Sequence, residues 1–264
     1  MSRAFGFALV LAVSLFSAIG PVVIPADPAA QDLSAYLSPP SAAHPLGTDH
    51  LGRDLLARLA HAGRLSLGLA VLSVACAALP GVALGLAAAW RGGLTDRVLA
   101  TAADMTMALP GLLIVLLVAG LAPGRIWPLW LGLSAALWVE YFRLTRATAR
   151  VLLAAPEVEA SRLLGFGPLY ILRRHVVPAL APPLATLAAF GVGGAVMAIG
   201  ALGFVGIGLR PPMAEWGLML TELLPHYHEA PWALTWPALM VFATVFGLQL
   251  IASESAQGAG ESPR

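Results

Sequence analysis

The sequence contains no lysine, because all fifteen of its basic residues are arginine. The phosphate-binding loop of ATP- and GTP-hydrolysing domains, GxxxxGK[ST], requires a lysine on the terminal phosphates, so this chain cannot carry that motif. Schiff-base chemistry on a lysine amine is excluded for the same reason. The sequence therefore predicts a chain that binds no nucleotide cofactor of its own.

Charged residues and cysteine are also scarce. Charged side chains make up 11% of the 264 residues and the formal net charge is +1. Nucleic-acid binding needs a dense basic surface that neutralises several phosphates, so no nucleic-acid partner is expected. Cys76 is the only cysteine, which excludes an intramolecular disulfide, and its apolar neighbours predict a small buried side chain.

Hydrophobic residues are abundant instead, at 59% of the chain, and the mean hydropathy is +0.82. This composition is typical of a membrane protein. A helix needs about 20 apolar residues to cross the bilayer, and about six segments have that length. They predict an all-α, polytopic membrane fold with spans at 5–24, 66–89, 98–121, 127–145, 181–208 and 233–252. The first resembles a signal peptide, but it is long and "IPADP" offers no convincing cleavage site, so we expect a retained anchor.

The distribution of arginine predicts the orientation, since cytoplasmic loops retain positive charge. With both termini in the cytoplasm, ten arginines are cytoplasmic and five are external. The opposite orientation inverts that ratio. The predicted organisation is an anchor and external loop (1–43), an external amphipathic segment (44–65), a five-span core (66–253) that includes a cytoplasmic loop (156–178), and a disordered cytoplasmic tail (254–264).

The loop at 156–178 is the most polar long stretch of the chain and predicts two short helices that meet at a bend. Pro156 suits the first position of a helix, where acidic side chains are also favoured, and two glycines then end it. Pro168 starts a second helix, which closes on basic residues before a proline stops it. The residues concerned are Glu157, Glu159, Gly165, Gly167, Arg173, Arg174, His175 and Pro178. Such a hairpin is either a solvated loop or a docking surface.

Part of this loop resembles a known motif. Glu159, Ala160 and Ser161, then Gly165, then "HVVP" at 175–178 resemble the EAA loop of ATP-binding-cassette (ABC) importer permeases, in the form found in peptide and nickel permeases. Ser161 stands where alanine is more usual.

Two other stretches resemble the same subfamily: "HPLGTDHLGRDLLARLAHAGRLSLG" at 44–68 and "GFVGIGLRPPMAEWGLML" at 203–220. The likeness extends from about 44 to 245. It fails in "LQLIASESAQGAGESPR", which lacks the usual ending of the family.

The resemblance implies the C-type subunit of an importer, with a second homologous permease subunit, one or two cytoplasmic ATPases that bind ATP and Mg²⁺, and an external substrate-binding protein. It implies di- or oligopeptides as cargo, with nickel or a nickel chelate as the alternative, and haem is not excluded. The residues expected to couple the chain to the ATPase are Glu157, Glu159, Ala160, Ser161, Gly165, Arg173, His175 and Pro178.

The 44–68 stretch predicts an amphipathic helix on the outer face, either lying on lipid or packing over the mouth of the pathway. Thr48 is expected to cap it, with Asp49 in its first turn. The pairs Asp49–Arg53 and Asp54–Arg58 have i,i+4 spacing, which contributes about 0.2 to 0.5 kcal/mol each when exposed. Candidates for the external gate are Thr48, Asp49, Arg53, Asp54, Glu215 and Trp216.

Small and charged residues inside the spans lead to two further expectations. Small residues let membrane helices approach closely, so the glycine-rich fifth span is expected to face protein. Its glycines are Gly191, Gly193, Gly194, Gly200, Gly203, Gly206 and Gly208. Asp104 and Glu140 lie near the cytoplasmic end of their spans, where snorkelling or an ion pair is expected, and Glu140 can reach Arg143 or the neighbours of Tyr141.

Other features of the sequence allow three alternative functions: metal binding, intramembrane hydrolysis and a membrane scaffold. His226, His228 and Glu229 have the chemistry of metal ligands, although an exposed histidine pair in a loop is usually solvated. Ser134 lies inside the fourth span, as in an intramembrane hydrolase, but no histidine base falls within a predicted span. A membrane scaffold explains the helices and leaves the three motif stretches unexplained.

Overall fold

The computed structural model describes residues 2–260, and its regular structure in this range is helical apart from two isolated β-bridges. The helices are α1 (Ser2–Val23), α2 (Leu55–Arg91), α3 (Gly93–Met107), α4 (Gly111–Gly120), α5 (Ile126–Leu153), α6 (Pro156–Leu163), α7 (Pro168–Ile171), α8 (Val177–Phe204), α9 (Trp216–Leu223) and α10 (Pro231–Gly260). A π-helical turn at Leu172–Val176 joins α7 to α8. The predicted all-α membrane fold is confirmed.

Within residues 2–260, four helical segments are long and apolar enough to cross a membrane, or five if the bent pair α3–α4 is one span. The four are α1, α2, the continuous α7–α8 segment and α10. The predicted span at 127–145 falls on α5, which has 28 residues but carries Glu140, Arg143 and Arg146 and is therefore less apolar. The number of strongly apolar spans is thus smaller than the six predicted.

Helix α2 corrects the predicted boundary between an external segment and the second span. It is one helix of 37 residues, about 55 Å long, so its outer turns extend beyond about 30 Å of hydrocarbon. Its N-cap is Asp54, whose side chain accepts a hydrogen bond from the Ala57 amide at 2.8 Å. The prediction that Thr48 caps this helix is wrong, because residues 44–54 form a folded loop before it begins.

The third predicted span, 98–121, is not one straight helix. Helices α3 and α4 meet at a bend of 80°. Pro110 lies at the break and is the N-cap residue of α4. Proline lacks the amide that a continuing helix needs and restricts the residue before it, which explains the interruption.

Pro178, unlike Pro110, does not interrupt a helix. The prediction that it stops the second helix of the loop is wrong. The chain stays helical from Pro168 to Phe204. The π-helical turn ends just before Pro178, and its wider backbone leaves room for the proline ring against the preceding turn. Arg173 and Arg174 therefore lie inside a continuous helical segment, and the prediction that they close a helix is wrong.

The last helix is longer than predicted. Helix α10 continues to Gly260, whereas the sequence predicted an end at 252 and a disordered tail over 254–264. The helical residues 254–260 correct that prediction. Residues 261–264 lie outside the described residues.

Close glycine contacts hold the helices together. The most extensive helix contact joins α2 to α5, where a Cβ on Gly81 or Gly85 would lie 2.6 Å or 2.7 Å from carbonyl oxygens of α5. In the fifth span, Gly200 packs against Gly217 of α9 so closely that a Cβ on Gly217 would lie 2.3 Å from the Gly200 Cα. Gly194, by contrast, faces open space. The packed-interface prediction therefore holds for part of the glycine set.

Ion pairs connect α3 to α5. Arg143 pairs with Asp104, and Arg146 pairs with the buried Asp96 at 2.5 Å, where Arg150 also binds. The ion pair expected for Asp104 is therefore present. Arg143 reaches across to the neighbouring helix and does not pair with Glu140, which is exposed. Asp96 was missed because its partners are about 50 residues away in sequence.

We predict that Gly85→Ala destabilises the full chain by about 1 to 3 kcal/mol, because the added methyl overlaps the Phe142 carbonyl and overpacking has this cost. Gly194→Ala is the matched control, since its methyl meets open space. Thermal unfolding in detergent measures both. An unfolding midpoint for Gly85→Ala equal to that of the control would contradict the α2–α5 packing.

Candidate coupling hairpin and outer gate

The predicted loop folds as a helical hairpin, which we call the coupling hairpin (residues 156–178). Pro156 occupies the first turn of α6, and Glu157 and Glu159 lie in that turn, as predicted. Gly167 precedes Pro168, which starts α7.

A Schellman turn ends α6. The Phe166 amide donates to the Ser161 carbonyl at 3.1 Å, and the Gly165 amide donates to the Arg162 carbonyl at 3.0 Å. Gly165 adopts φ +82°, the left-handed conformation that this motif requires and that glycine adopts without strain. Gly165 thus fixes the angle between the two arms of the coupling hairpin.

One side of the coupling hairpin is buried against the ends of the long helices. Val158, Ile171 and Val176 form a cluster with Leu180 of α8 and Ala149 of α5, and all five side chains are at most 2% exposed. This apolar contact joins the hairpin mechanically to both helices.

A polar contact closes the two arms. The Ser161 hydroxyl donates to the Glu157 carbonyl oxygen at 2.9 Å, so it accepts from His175 Nε2, which lies 3.0 Å away. The structure therefore brings together Ser161 and His175, two residues predicted from the motif.

The other side of the coupling hairpin is exposed and has an apolar centre. Leu163 and Leu164 are 85% and 77% exposed, and the rings of Phe166 and Tyr170 stack at 4.2 Å in the open. The remaining predicted coupling residues are exposed as well: Glu157, Glu159, Ala160, Gly165, Arg173 and Pro178. Several exposed apolar side chains close together in sequence, with charged residues in the same hairpin, are typical of an interaction site.

The C-terminal end of α2 packs near the coupling hairpin through Leu86 and Ala89. Near its N-terminal end, four charged side chains form a buried network that we call the outer ion cluster (Asp49, Arg53, Arg58 and Glu222). Arg53 contacts Asp49 at 2.6 Å and Glu222 at 3.1 Å, while Arg58 contacts Asp49 at 3.0 Å and Glu222 at 2.5 Å. Both arginines are 1% exposed and Asp49 is 2% exposed. Each charge has at least one partner of opposite sign, because a lone buried charge is very costly. Within the described residues, the buried Nε of Arg58 has no hydrogen-bond partner.

The outer ion cluster corrects the prediction of exposed i,i+4 pairs on a surface helix. Asp49 and Arg53 do pair, but they are buried. Arg58 binds Asp49 and Glu222, while Asp54 instead contacts His44 at 2.9 Å. The amphipathic segment therefore packs on protein and does not lie on lipid.

Thr48 also has a structural partner in this loop. Its buried hydroxyl donates to the Ala35 carbonyl and accepts from the Ser38 amide at 2.8 Å. Thr48 thus connects the loop to the segment that follows α1.

The other two gate candidates lie at the start of α9. Glu215 is its N-cap and accepts from the Gly217 and Leu218 amides and from the Ser66 hydroxyl at 3.0 Å. The Trp216 indole donates to the Leu59 carbonyl at 3.2 Å. Because α9 also carries Glu222, the two motif stretches at 44–68 and 203–220 form one packed unit.

Sequence reasoning missed Glu222 and Ser66. Glu222 lies seven residues after Glu215, or two helical turns, so both acidic side chains fall on the same face of a helix. That spacing, in a chain with few acidic residues, could have indicated Glu222 as a site residue.

Burial raises the pKa of Glu222, and the charge of Arg53 opposes that rise. Burial likewise lowers the pKa of His50, which lies beside the cluster.

The alternative sites gain no support from the geometry. His226 stacks on His50, and the ring of His228 contacts that of Tyr227 at a tilt of 39°. Within the described part of the chain, no group of three metal-ligating side chains converges. The Ser134 hydroxyl donates to the Trp130 carbonyl at 2.6 Å and lies 3.1 Å from the Ser73 carbonyl. The hydroxyl of Ser134 therefore contacts backbone carbonyl oxygens, which is typical of a serine that packs between helices.

Comparison with known proteins gives consistent results. Residues 81–253 match the family described as "Binding-protein-dependent transport system inner membrane component". The di/tripeptide transport system permease protein DppC of Pseudomonas aeruginosa is 37% identical over 256 residues, covering 94% of this chain and 84% of that protein. The nickel transport system permease protein NikC of Escherichia coli is 32% identical over 228 residues, covering 86% of this chain and 82% of that protein.

One solved structure has a similar fold. It is an inward-facing form of the MetNI methionine ABC transporter, with a TM-score of 0.55 and 16% identity over 74% of this chain and 93% of that chain. The sequence relatives and the fold agree with the coupling hairpin and the absence of a nucleotide motif. The chain belongs to the family of binding-protein-dependent transport system inner membrane components and is a permease subunit of an ABC importer, not an enzyme.

Proposed function

We propose that the chain is the C-type permease subunit of an importer for di- or oligopeptides. The support is the similarity to DppC, which has the higher identity and covers more of the chain than the similarity to NikC. Uptake of nickel or a nickel chelate is the second candidate, because the nickel permease shares the same family. The chain itself binds no cofactor under this proposal.

The two-sided coupling hairpin is the observation that carries the proposed mechanism. Its exposed apolar centre fits into a cleft on a cytoplasmic ATPase, and its buried side contacts α5 and α8. Closure of the ATPase pair on ATP and Mg²⁺ then moves the hairpin, and the apolar contact passes this displacement to both helices. Rigid-body motion of this kind switches the pathway between inward- and outward-open states.

The outer ion cluster is proposed to act at the mouth of the pathway. Arg58 of α2 and Arg53 of the preceding loop both pair with Glu222 of α9. This pairing makes the loop at 44–54 and α9 a single rigid unit at the mouth of the pathway. We propose that the unit moves as a body when the helices tilt and that it carries the external gate.

The remaining partners and the orientation complete the proposal. A second homologous permease subunit forms the other half of the pathway, one or two ATPase chains bind from the cytoplasm, and an external binding protein delivers cargo. Both termini face the cytoplasm, as the excess of arginine in the corresponding loops favours. The coupling hairpin is then on the ATPase side.

We predict that Gly165→Val in the assembled importer uncouples ATP hydrolysis from uptake. The substitution forces a β-branched residue into a left-handed conformation, which costs about 1 to 2 kcal/mol and changes the angle between the hairpin arms. Gly167→Val is the matched control, because Gly167 has φ −74° and open space around it. The measurement is cargo uptake per ATP hydrolysed in proteoliposomes; equal ratios for the two variants would count against the coupling role.

We predict that the complete importer, reconstituted with its binding protein, accumulates a labelled dipeptide when ATP is present. The isolated chain shows no ATPase activity, because it has no lysine for a phosphate-binding loop. Radiolabelled dipeptide and ⁶³Ni²⁺ are compared in the same vesicles. Nickel uptake without dipeptide uptake supports the second candidate, and hydrolysis by the isolated chain would contradict the proposal.

A further inference from the structure

A groove between α1 and α2 is not used by the proposed mechanism. It has a volume of about 390 Å³ and is open to its surroundings. Its lining consists of Ser14, Ser17 and Ala18 of α1 and Arg64, Leu67, Gly68 and Val71 of α2. The groove therefore combines one cationic group and two serines with apolar side chains.

Arg64 is an exposed arginine within a candidate membrane span. Arg53 and Arg58, about three and two turns before it, are buried and paired with acidic side chains. Among the described side chains, by contrast, none forms an ion pair or hydrogen bond with Arg64. Its guanidinium is therefore available to an anionic group from outside the chain.

The position of Arg64 along α2 gives its depth in the bilayer. It lies nine residues after Leu55, or about 14 Å along the axis, and 27 residues before Arg91, or about 40 Å. The hydrocarbon layer is about 30 Å thick, so with Arg91 at one interface Arg64 reaches the headgroup level of the other.

The groove runs from this polar level into the hydrocarbon. Helices α1 and α2 are antiparallel and close here, since a Cβ on Gly63 would lie 2.2 Å from Ser17 Oγ. One turn deeper, Gly68 leaves the wall open, with nothing within 4 Å of its Cβ position. An acyl chain fits along Gly68 and Val71 while a phosphate contacts Arg64, whose planar guanidinium matches phosphate oxygens in two parallel hydrogen bonds.

We propose that this groove is a phospholipid site, in which Arg64 binds the headgroup phosphate and the groove below it holds one acyl chain. Charge complementarity and depth together favour a lipid over other occupants. In the proposed orientation the site faces the external leaflet. The inference does not depend on the cargo or on the coupling mechanism.

The test uses the complete importer in bilayers of phosphatidylethanolamine and phosphatidylglycerol at about 3:1, with a trace of phosphatidylglycerol that carries a photoreactive acyl chain. Arg64→Gln is expected to lower labelling of α1 and α2 peptides about fivefold, as the loss of one arginine–phosphate contact predicts. Gly68→Leu keeps the charge and fills the channel, so it should lower labelling as well. Arg125→Gln is the control, because Arg125 is an exposed arginine outside the groove.

Three results would overturn the lipid site. The first is labelling by Arg64→Gln and Gly68→Leu equal to that of Arg125→Gln. The second is displacement of the label by dipeptide cargo, which would place the groove on the transport pathway. The third is cross-linking of the second permease subunit, and not lipid, to a photoreactive residue introduced at Gly68. Because Arg64 and Gly68 are both exposed positions, we expect both variants to keep the unfolding midpoint of the unaltered importer, which confirms that they fold.

Discussion

The apolar contact between the coupling hairpin and the ends of α5 and α8 is the interaction on which the proposed mechanism depends. Val158, Ile171 and Val176 of the hairpin are buried with Ala149 and Leu180. A chain that lacks a phosphate-binding loop does not hydrolyse ATP through that motif, so energy from ATP reaches it through contact with another protein. The well-packed cluster makes the hairpin rigid with the helices, because close-packed interiors transmit displacement and do not absorb it. The exposed leucines opposite the cluster provide the surface on which a partner can act.

At the end of the bundle that carries the outer ion cluster, ion pairs and not apolar contacts make the structure rigid. Two arginines shared between Asp49 and Glu222 lock the loop at 44–54 to α9. Removing one partner of such a network leaves a buried charge unpaired, which typically costs 3 to 5 kcal/mol, about as much as several apolar contacts. Both ends of the mechanism are therefore rigid units. The flexible part is expected between them, at the 80° bend between α3 and α4.

Features that depend on local chemistry could be predicted from the sequence. The helical class, the start of α6 at Pro156 and the turn at Gly165 follow from apolar length, proline and glycine. Tertiary contacts account for the errors. The charged residues after Thr48 have the spacing of an exposed surface helix, and only the distant Glu222 makes their burial possible. Pro178 continues a helix because a π-helical turn precedes it, and no local pattern in the sequence indicated that turn.

The side of the membrane on which the coupling hairpin lies tests the account most directly. Leu164→Cys, in a Cys76→Ala background, places a single thiol at the exposed tip of the hairpin. A membrane-impermeant maleimide should label it in sealed inverted vesicles and not in right-side-out vesicles, and assembly with the ATPase should reduce the labelling. Labelling in right-side-out vesicles would contradict the account.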